Sequence, residues 1–233
     1  MKKKLAVFDF DDTVINRSAK YKNNFFGMTT LLPEQNFAEL FSKNVNNNVW
    51  TISEAWDIFN DKTNVTKKDI IDKLVECVSV VQGMEQVFEQ LSRDHDLIMI
   101  SHNDHGIIDP LLNHFKLHYY FKKVFAKPSI ITEEGKFKKF QIPETWSGVC
   151  ESETINHCKT SVLKEFLQVE NHDYHQIIYF GDGSNDYCPA KFLSSKDKIC
   201  PRQGFPLEEV LNQKPVQAQV FAWSDGYDIL KFI

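Results

Sequence analysis

Lys4-Leu5-Ala6-Val7-Phe8-Asp9-Phe10-Asp11-Asp12-Thr13 is the stretch that decides the fold. It begins as a short, continuous apolar run, the pattern of a strand buried on both faces. It ends by placing Asp9 and Asp11 just beyond that strand. A second segment of the same build lies far downstream, where Gln176-Ile177-Ile178-Tyr179-Phe180 leads into Gly181-Asp182-Gly183-Ser184-Asn185-Asp186. In an open α/β sheet, parallel strands deliver the residues that follow them to one edge, where such folds bind ligands. The pattern therefore predicts that Asp9, Asp11, Asp182 and Asp186 meet in one pocket. Carboxylates gathered so closely repel unless a cation stands between them. A set of hard oxygen ligands suits Mg2+, which takes one or two carboxylates with waters and phosphate oxygens.

The rest of the chain supports that sheet. Further apolar runs at 97–100, 124–126 and 220–223 read as buried strands, and amphipathic helical stretches lie at 84–91, 107–115, 161–169 and 207–211. Such alternation means βαβ units, hence an α/β fold with a Rossmann-like, mostly parallel sheet. No internal repeat of about 20–50 residues is visible. From about 17 to 83 the pattern changes. No strand is evident, and Phe37, Leu40 and Phe41, then Ala55, Ile58 and Phe59, then Ile70 and Leu74 fall at helical spacing. Thr66-Lys67-Lys68-Asp69 reads as a capping box at a helix start, and Asn46-Asn47-Asn48 as a polar turn. The expected organisation is a core at 1–16 and 84–233, with 17–83 inserted as an all-helical cap over the pocket. Trp50 and Trp56 are expected mostly in the core of that cap.

Each acid has an expected task. Asp9, at the strand end, can attack phosphorus and form an aspartyl-phosphate. Asp11 can protonate the departing alkoxide and then take a proton from water. Thr13 can donate to a phosphate oxygen, as can Ser101, which follows the run at 97–100. Lys159 opens the helical stretch at 161–169, where its ammonium would offset charge on Asp9 and the phosphoryl group. Gly181 and Gly183 allow a tight turn beside the metal. Asp182 is the expected direct ligand, Asp186 would support the metal or hold Lys159, and Asn185 could contact substrate. Asp12 is expected to be solvated and outside the site.

Together these motifs, Asp-x-Asp-x-Thr, a strand-end Ser, a helical Lys and Gly-Asp-Gly-x-Asn-Asp, resemble the haloacid dehalogenase superfamily of phosphotransferases. Phe8 to Ile15, Gln82-Gly83-Met84, Asn156 to Leu163 with Cys158-Lys159, Gly181 to Pro189 and Pro201-Arg202-Gln203-Gly204-Phe205-Pro206 more closely resemble the eukaryotic phosphoethanolamine/phosphocholine phosphatase group, which includes pyridoxal phosphate phosphatases. The resemblance implies Mg2+-dependent hydrolysis of a small phosphorylated metabolite, with a helical cap inserted after the first motif.

Two positions depart from that group. It typically carries an acidic stretch after the first motif, where this chain has Asn16-Arg17-Ser18-Ala19-Lys20. It typically has Asp after the strand-end Ser, where this chain has His102. Lys20 and His102 thus stand as substrate-facing residues of altered charge. A neutral or positive pocket disfavours a choline or ethanolamine headgroup, so an anionic or neutral leaving group is expected. Pyridoxal phosphate, a nucleotide or a sugar phosphate are alternative substrates. A phosphate-binding signalling module is the rival from another class. A receiver domain shares strand-end aspartates and a lysine, but lacks Gly-Asp-Gly-x-Asn-Asp and a cap.

Bulk properties limit the partners. With 233 residues and net charge −5, the chain has length for a core and lacks the basic excess of a nucleic-acid binder. No apolar stretch approaches the length that spans a bilayer, and Met1-Lys2-Lys3-Lys4 runs directly into a strand without a signal-peptide pattern. The five cysteines contain no Cys-x-x-Cys, which suits a reduced, cytoplasmic protein better than a disulfide framework. Metal binding by His102 and His105, or zinc binding by Cys150 and Cys158, is the lesser reading of those residues; partly buried thiols are the expectation.

Overall fold

The computed structural model describes residues 3–17, 31, 58–59, 61–138, 158–170 and 174–233. Lys20, Trp50, Trp56, Cys150 and the helical runs read at 37–41 and near Ala55 lie outside them.

Among the described residues the chain begins with β1 (Lys4–Phe8) and β2 (Ile15–Arg17), then resumes with α1 (Lys67–Cys77), β3 (Val78–Val80), α2 (Met84–Leu91), β4 (His95–Asp104) and α3 (His105–His114). It continues with β5 (Lys123–Lys127), β6 (Ile130–Ile131), β7 (Phe137–Lys138), α4 (Lys159–Glu170), β8 (Ile177–Gly181) and α5 (Tyr187–Phe192). The last elements are β9 (Lys198–Pro201), α6 (Pro206–Gln213), β10 (Gln219–Val220) and α7 (Gly226–Ile229).

Six strands form one sheet in the order β10-β9-β8-β1-β4-β5, and each neighbouring pair is parallel. β1 lies near the centre, between β8 and β4, with Phe8 in register with Phe180 and Met99. Its side chains alternate between two cores, as strand geometry requires. Ala6 and Phe8 join one apolar cluster with Phe88 of α2 and Ile108 of α3. Leu5 and Val7 join another with Val162 and Phe166 of α4 and Leu207 of α6. Phe8 stacks on Phe180 at 4.5 Å and meets Phe88 edge-on at 5.0 Å. Full burial of each such side chain contributes about 1.5–3 kcal/mol.

The segment expected as an insertion includes α1, which opens on the expected capping box. Thr66 Oγ1 accepts from Asp69 N at 3.3 Å, and Asp69 Oδ2 accepts from Thr66 N at 2.8 Å. Ile70, Leu74 and Cys77 form its buried stripe. The expectation of no strand between 17 and 83 is corrected here. Val78–Val80 pairs antiparallel with Ile15–Arg17, forming a two-stranded sheet separate from the six-stranded one. Strands of three residues carry too little periodicity to be read from sequence. β6 and β7 form a second small antiparallel pair, whose connecting turn meets the start of α1: Lys67 N donates to Gly135 O at 2.8 Å and Lys136 Nζ to Thr63 O at 2.9 Å.

Gly83 explains the Gln-Gly-Met segment. Its φ is +77°, and a Cβ there would lie 2.9 Å from the Tyr227 backbone nitrogen. The start of α2 thus packs backbone to backbone on the start of α7, secured by Gly226 N donating to Gln82 O at 2.7 Å.

Candidate active site

The C-terminal ends of β1, β4 and β8 build the site, as expected for an open parallel sheet. A cleft of about 170 Å3 is lined by Asp9, Asp11, His102, Asp182, Gly183 and Asn185. Thr13 and Asp182, 169 positions apart, touch through the Thr13 hydroxyl, which donates to Asp182 Oδ1 at 3.3 Å. The two ends of the chain do converge.

Lys159 is the charge centre of this cluster. Its Nζ lies 2.9 Å from Asp9 Oδ1 and 2.7 Å from Asp186 Oδ1, with the lysine side chain wholly removed from solvent. Burial pulls its pKa down, but Asp186 and Asp9 outweigh burial and raise it above the ordinary lysine value, so the ammonium stays charged. Asp186 is saturated. Oδ1 also accepts from Tyr179 Oη at 2.7 Å, and Oδ2 accepts from the backbone amides of Asp182 at 3.2 Å and Gly183 at 3.1 Å. Gly181 leaves room for this bracing, since a Cβ there would sit 2.5 Å from the Asp186 carboxylate.

Asp9 Oδ1 also accepts from Phe10 N at 2.8 Å. Burial pushes the Asp9 carboxyl well above the usual carboxylate range; Lys159 opposes this, while Asp186, Asp182 and Asp11 add to it. Burial, and then the charge of Asp186, push Asp182 up to about 7. Such shifts mark a site short of positive charge. Asp9, Asp182 and Asp186 each offer one oxygen within 4.8 Å of the others. The all-oxygen donor set and the excess of negative charge both fit a small divalent cation such as Mg2+.

Asp11 lines the same cleft, but Asn103 Nδ2 donates to its Oδ2 at 3.2 Å and its Oδ1 at 3.4 Å. It is not one of the three clustered carboxylates. Ser101 is fully buried beyond Ile100, where a register shift interrupts the β4–β5 ladder before Asp104. Its Oγ accepts from Asn103 N at 3.1 Å. Such irregularities re-aim side chains at a sheet edge. His102 Nδ1 and Asn185 Nδ2 are 3.0 Å apart. The contact brings both side chains together at the cleft. Lys20 lies outside the described residues.

Asp12 corrects an expectation. It is buried at 3 % exposure rather than solvated, with a left-handed φ of 51°. Its carbonyl accepts from Arg202 Nη1 at 2.6 Å, and the guanidinium carbon lies 4.8 Å from the Phe205 ring and 5.4 Å from the Trp223 ring. Arg202, Asn103 and Tyr179 are the supporting residues sequence reading missed. Tyr179 left a signal, since a tyrosine inside a fully buried strand needs a partner for its hydroxyl. His105 pairs with Asp109 at 3.2 Å. Among the described residues, the only candidate metal group is the aspartate trio.

The fold is shared with solved phosphatases. A phospho-aspartyl intermediate analogue of phosphoserine phosphatase aligns over 100 % of both chains with TM-score 0.67 at 18 % identity. Fold and relatives together define a haloacid dehalogenase-type phosphatase, a phosphoric monoester hydrolase. The chain belongs to the family described as "Putative Phosphatase", whose model matches residues 4–233. It is 28 % identical to the pyridoxal phosphate phosphatase of Homo sapiens over 98 % of this chain and 96 % of that one. It is also 28 % identical to the phosphoethanolamine/phosphocholine phosphatase of Gallus gallus, over 99 % of this chain and 88 % of that one.

Proposed function

We propose that the protein is a Mg2+-dependent phosphatase that hydrolyses a small phosphomonoester through an aspartyl-phosphate on Asp9. The observation that carries the reading is Asp9 itself, a carboxylate at a strand end, held by Lys159 and facing the cleft beside Asp182. Asp9 and Asp182 are the direct metal ligands; Asp186 braces them through the Asp182 amide and Lys159. Bound there, Mg2+ supplies positive charge that offsets the carboxylates and the phosphoryl oxygens.

Asp9 attacks phosphorus, and the bond to the leaving oxygen breaks. Asp11, oriented by Asn103, gives that oxygen a proton. Asp11 then takes a proton from water as the water attacks the same phosphorus, releasing inorganic phosphate and restoring Asp9. Lys159, Thr13 and Ser101 surround the transferring group with donors, and positioning of this kind dominates phosphoryl transfer. In this reading residues 17–83 act as the cap and the protein works in the cytoplasm. Among the described residues no helix is long and apolar enough to cross a membrane.

His102, beside Asn185 at the cleft, brings no carboxylate there, which supports a neutral or anionic leaving group over a quaternary ammonium headgroup that would need an opposing charge. The test is release of inorganic phosphate from p-nitrophenyl phosphate, with and without Mg2+, by the wild type and Asp9→Asn. Release by the wild type with Mg2+ alone is expected; equal release by Asp9→Asn refutes the reading.

A further inference from the structure

Cys158 and Cys188 stand with their Sγ atoms 3.7 Å apart; neither lines the cleft and neither has a role in the hydrolysis described above. Cys158 immediately precedes Lys159 at the start of α4, and Cys188 lies in the first turn of α5, two positions after Asp186. The Thr160 hydroxyl donates to Cys188 Sγ at 3.0 Å, so the first turn of α4 already grips the second sulfur. The two thiols therefore join the same two backbone segments that carry Lys159 and Asp186.

The surroundings favour reaction at Cys158. Burial raises its thiol, but donors from the Ser161 backbone and hydroxyl, from Cys188 and from the Thr160 backbone outweigh burial and hold it below the ordinary range. The thiolate is the reacting form of cysteine. Cys77 and Cys200 lie in the apolar core, where burial pushes the Cys200 thiol up. Cys188 is half-buried rather than sealed in the core.

We propose that Cys158 and Cys188 form an oxidative modification site, in which a peroxide converts the pair to a disulfide that displaces Lys159 and suppresses turnover. The Cys158 thiolate attacks one oxygen of hydrogen peroxide; the O–O bond breaks, giving a sulfenic acid and hydroxide, which the proton shed by Cys158 neutralises. The Cys188 sulfur then attacks the sulfenic sulfur, the S–S bond forms, and the departing hydroxyl leaves as water with the Cys188 proton. Two thiols and one peroxide yield one disulfide and two waters. Bond formation draws the sulfurs together to about 2.05 Å, moving the starts of α4 and α5. A misplacement of roughly 1 Å can cost about a hundredfold in rate, and Lys159 is the next residue to the bridge.

The consequence for turnover rests on the hydrolase reading above, so the experiment scores the cross-link separately. Reduced protein is treated with hydrogen peroxide, alkylated and digested, and peptides are mapped by mass spectrometry; phosphate release is assayed before, after, and after dithiothreitol. The expected result is a Cys158–Cys188 peptide, a tenfold or greater loss of turnover restored by dithiothreitol, and neither effect in Cys188→Ser, which keeps the reduced-state activity. Cys188→Ala replaces it if serine disturbs folding. Absence of the cross-linked peptide, a cross-link with unchanged turnover, or an equal reversible loss in Cys188→Ser overturns the proposal. A reduced protein that releases no phosphate refutes the hydrolase reading instead, and the peptide map still decides the cross-link.

Discussion

Lys159 Nζ lies 2.7 Å from Asp186 Oδ1, and both side chains are entirely removed from solvent. Removing one partner of a buried pair leaves the other charge uncompensated, at a cost of about 3–5 kcal/mol. Lys159→Met should lower stability by that order in Mg2+-free buffer, read as the urea unfolding midpoint. Adding Asp186→Asn should return part of the loss, because the orphaned charge is removed. Strictly additive losses would show that the two residues are not coupled.

Tyr179 completes the brace through its 2.7 Å bond to the same oxygen. A hydrogen bond to a charged group contributes about 1.5–3 kcal/mol, so Tyr179→Phe should destabilise by that order. Because Tyr179 acts through Asp186 and Lys159 rather than on substrate, kcat should fall while KM stays near the wild-type value. A rise in KM at constant kcat would contradict this positioning role.

The sheet and the site were legible in different ways. β1, β4, β5 and β8 announced themselves as apolar runs, the helix at 84–91 has the bounds its amphipathic pattern predicts, and the Thr66–Asp69 capping box is present. Strand-end aspartates in a parallel sheet can converge at only one edge, which is why the meeting of Asp9 with Asp182 was readable. β9 was missed, since Lys198–Pro201 is short and ends in proline. The β2–β3 pair was missed because its strands are three residues long. The Asp12 carbonyl is bound by Arg202, 190 positions away, and no local pattern reports such a contact. The Asn103–Asp11 and Tyr179–Asp186 bonds arise only from tertiary placement.

The carboxyl shifts set the sign of a pH effect. Asp182 is raised to about 7, from roughly 3.9 in an unfolded chain, and Asp9 moves the same way. The folded state therefore binds protons more tightly than the unfolded state. These groups favour folding at acid pH, and their contribution is lost as pH rises from about 4 through about 7. In the proposed reading Mg2+ competes with those protons, so the rise in Tm on adding Mg2+ should be larger at pH 8 than at pH 5. Equal shifts at both values would contradict the assignment of these acids to the metal.

The proposed substrate choice rests on His102 at the cleft and on Lys20, which lies outside the described residues. Across a panel of phosphomonoesters, phosphocholine and phosphoethanolamine should be poorer substrates than esters with neutral or anionic leaving groups, read as kcat/KM. His102→Asp should shift the ratio toward the cationic esters. A wild-type preference for phosphocholine or phosphoethanolamine would overturn the charge argument.

Acid quenching during turnover of p-nitrophenyl phosphate with Mg2+, followed by peptide mass spectrometry, tests the nucleophile most directly. The peptide that contains Asp9 should carry one added phosphoryl group in the wild type and none in Asp9→Asn. Phosphoryl transfer to another side chain, or undiminished turnover by Asp9→Asn, would contradict the account.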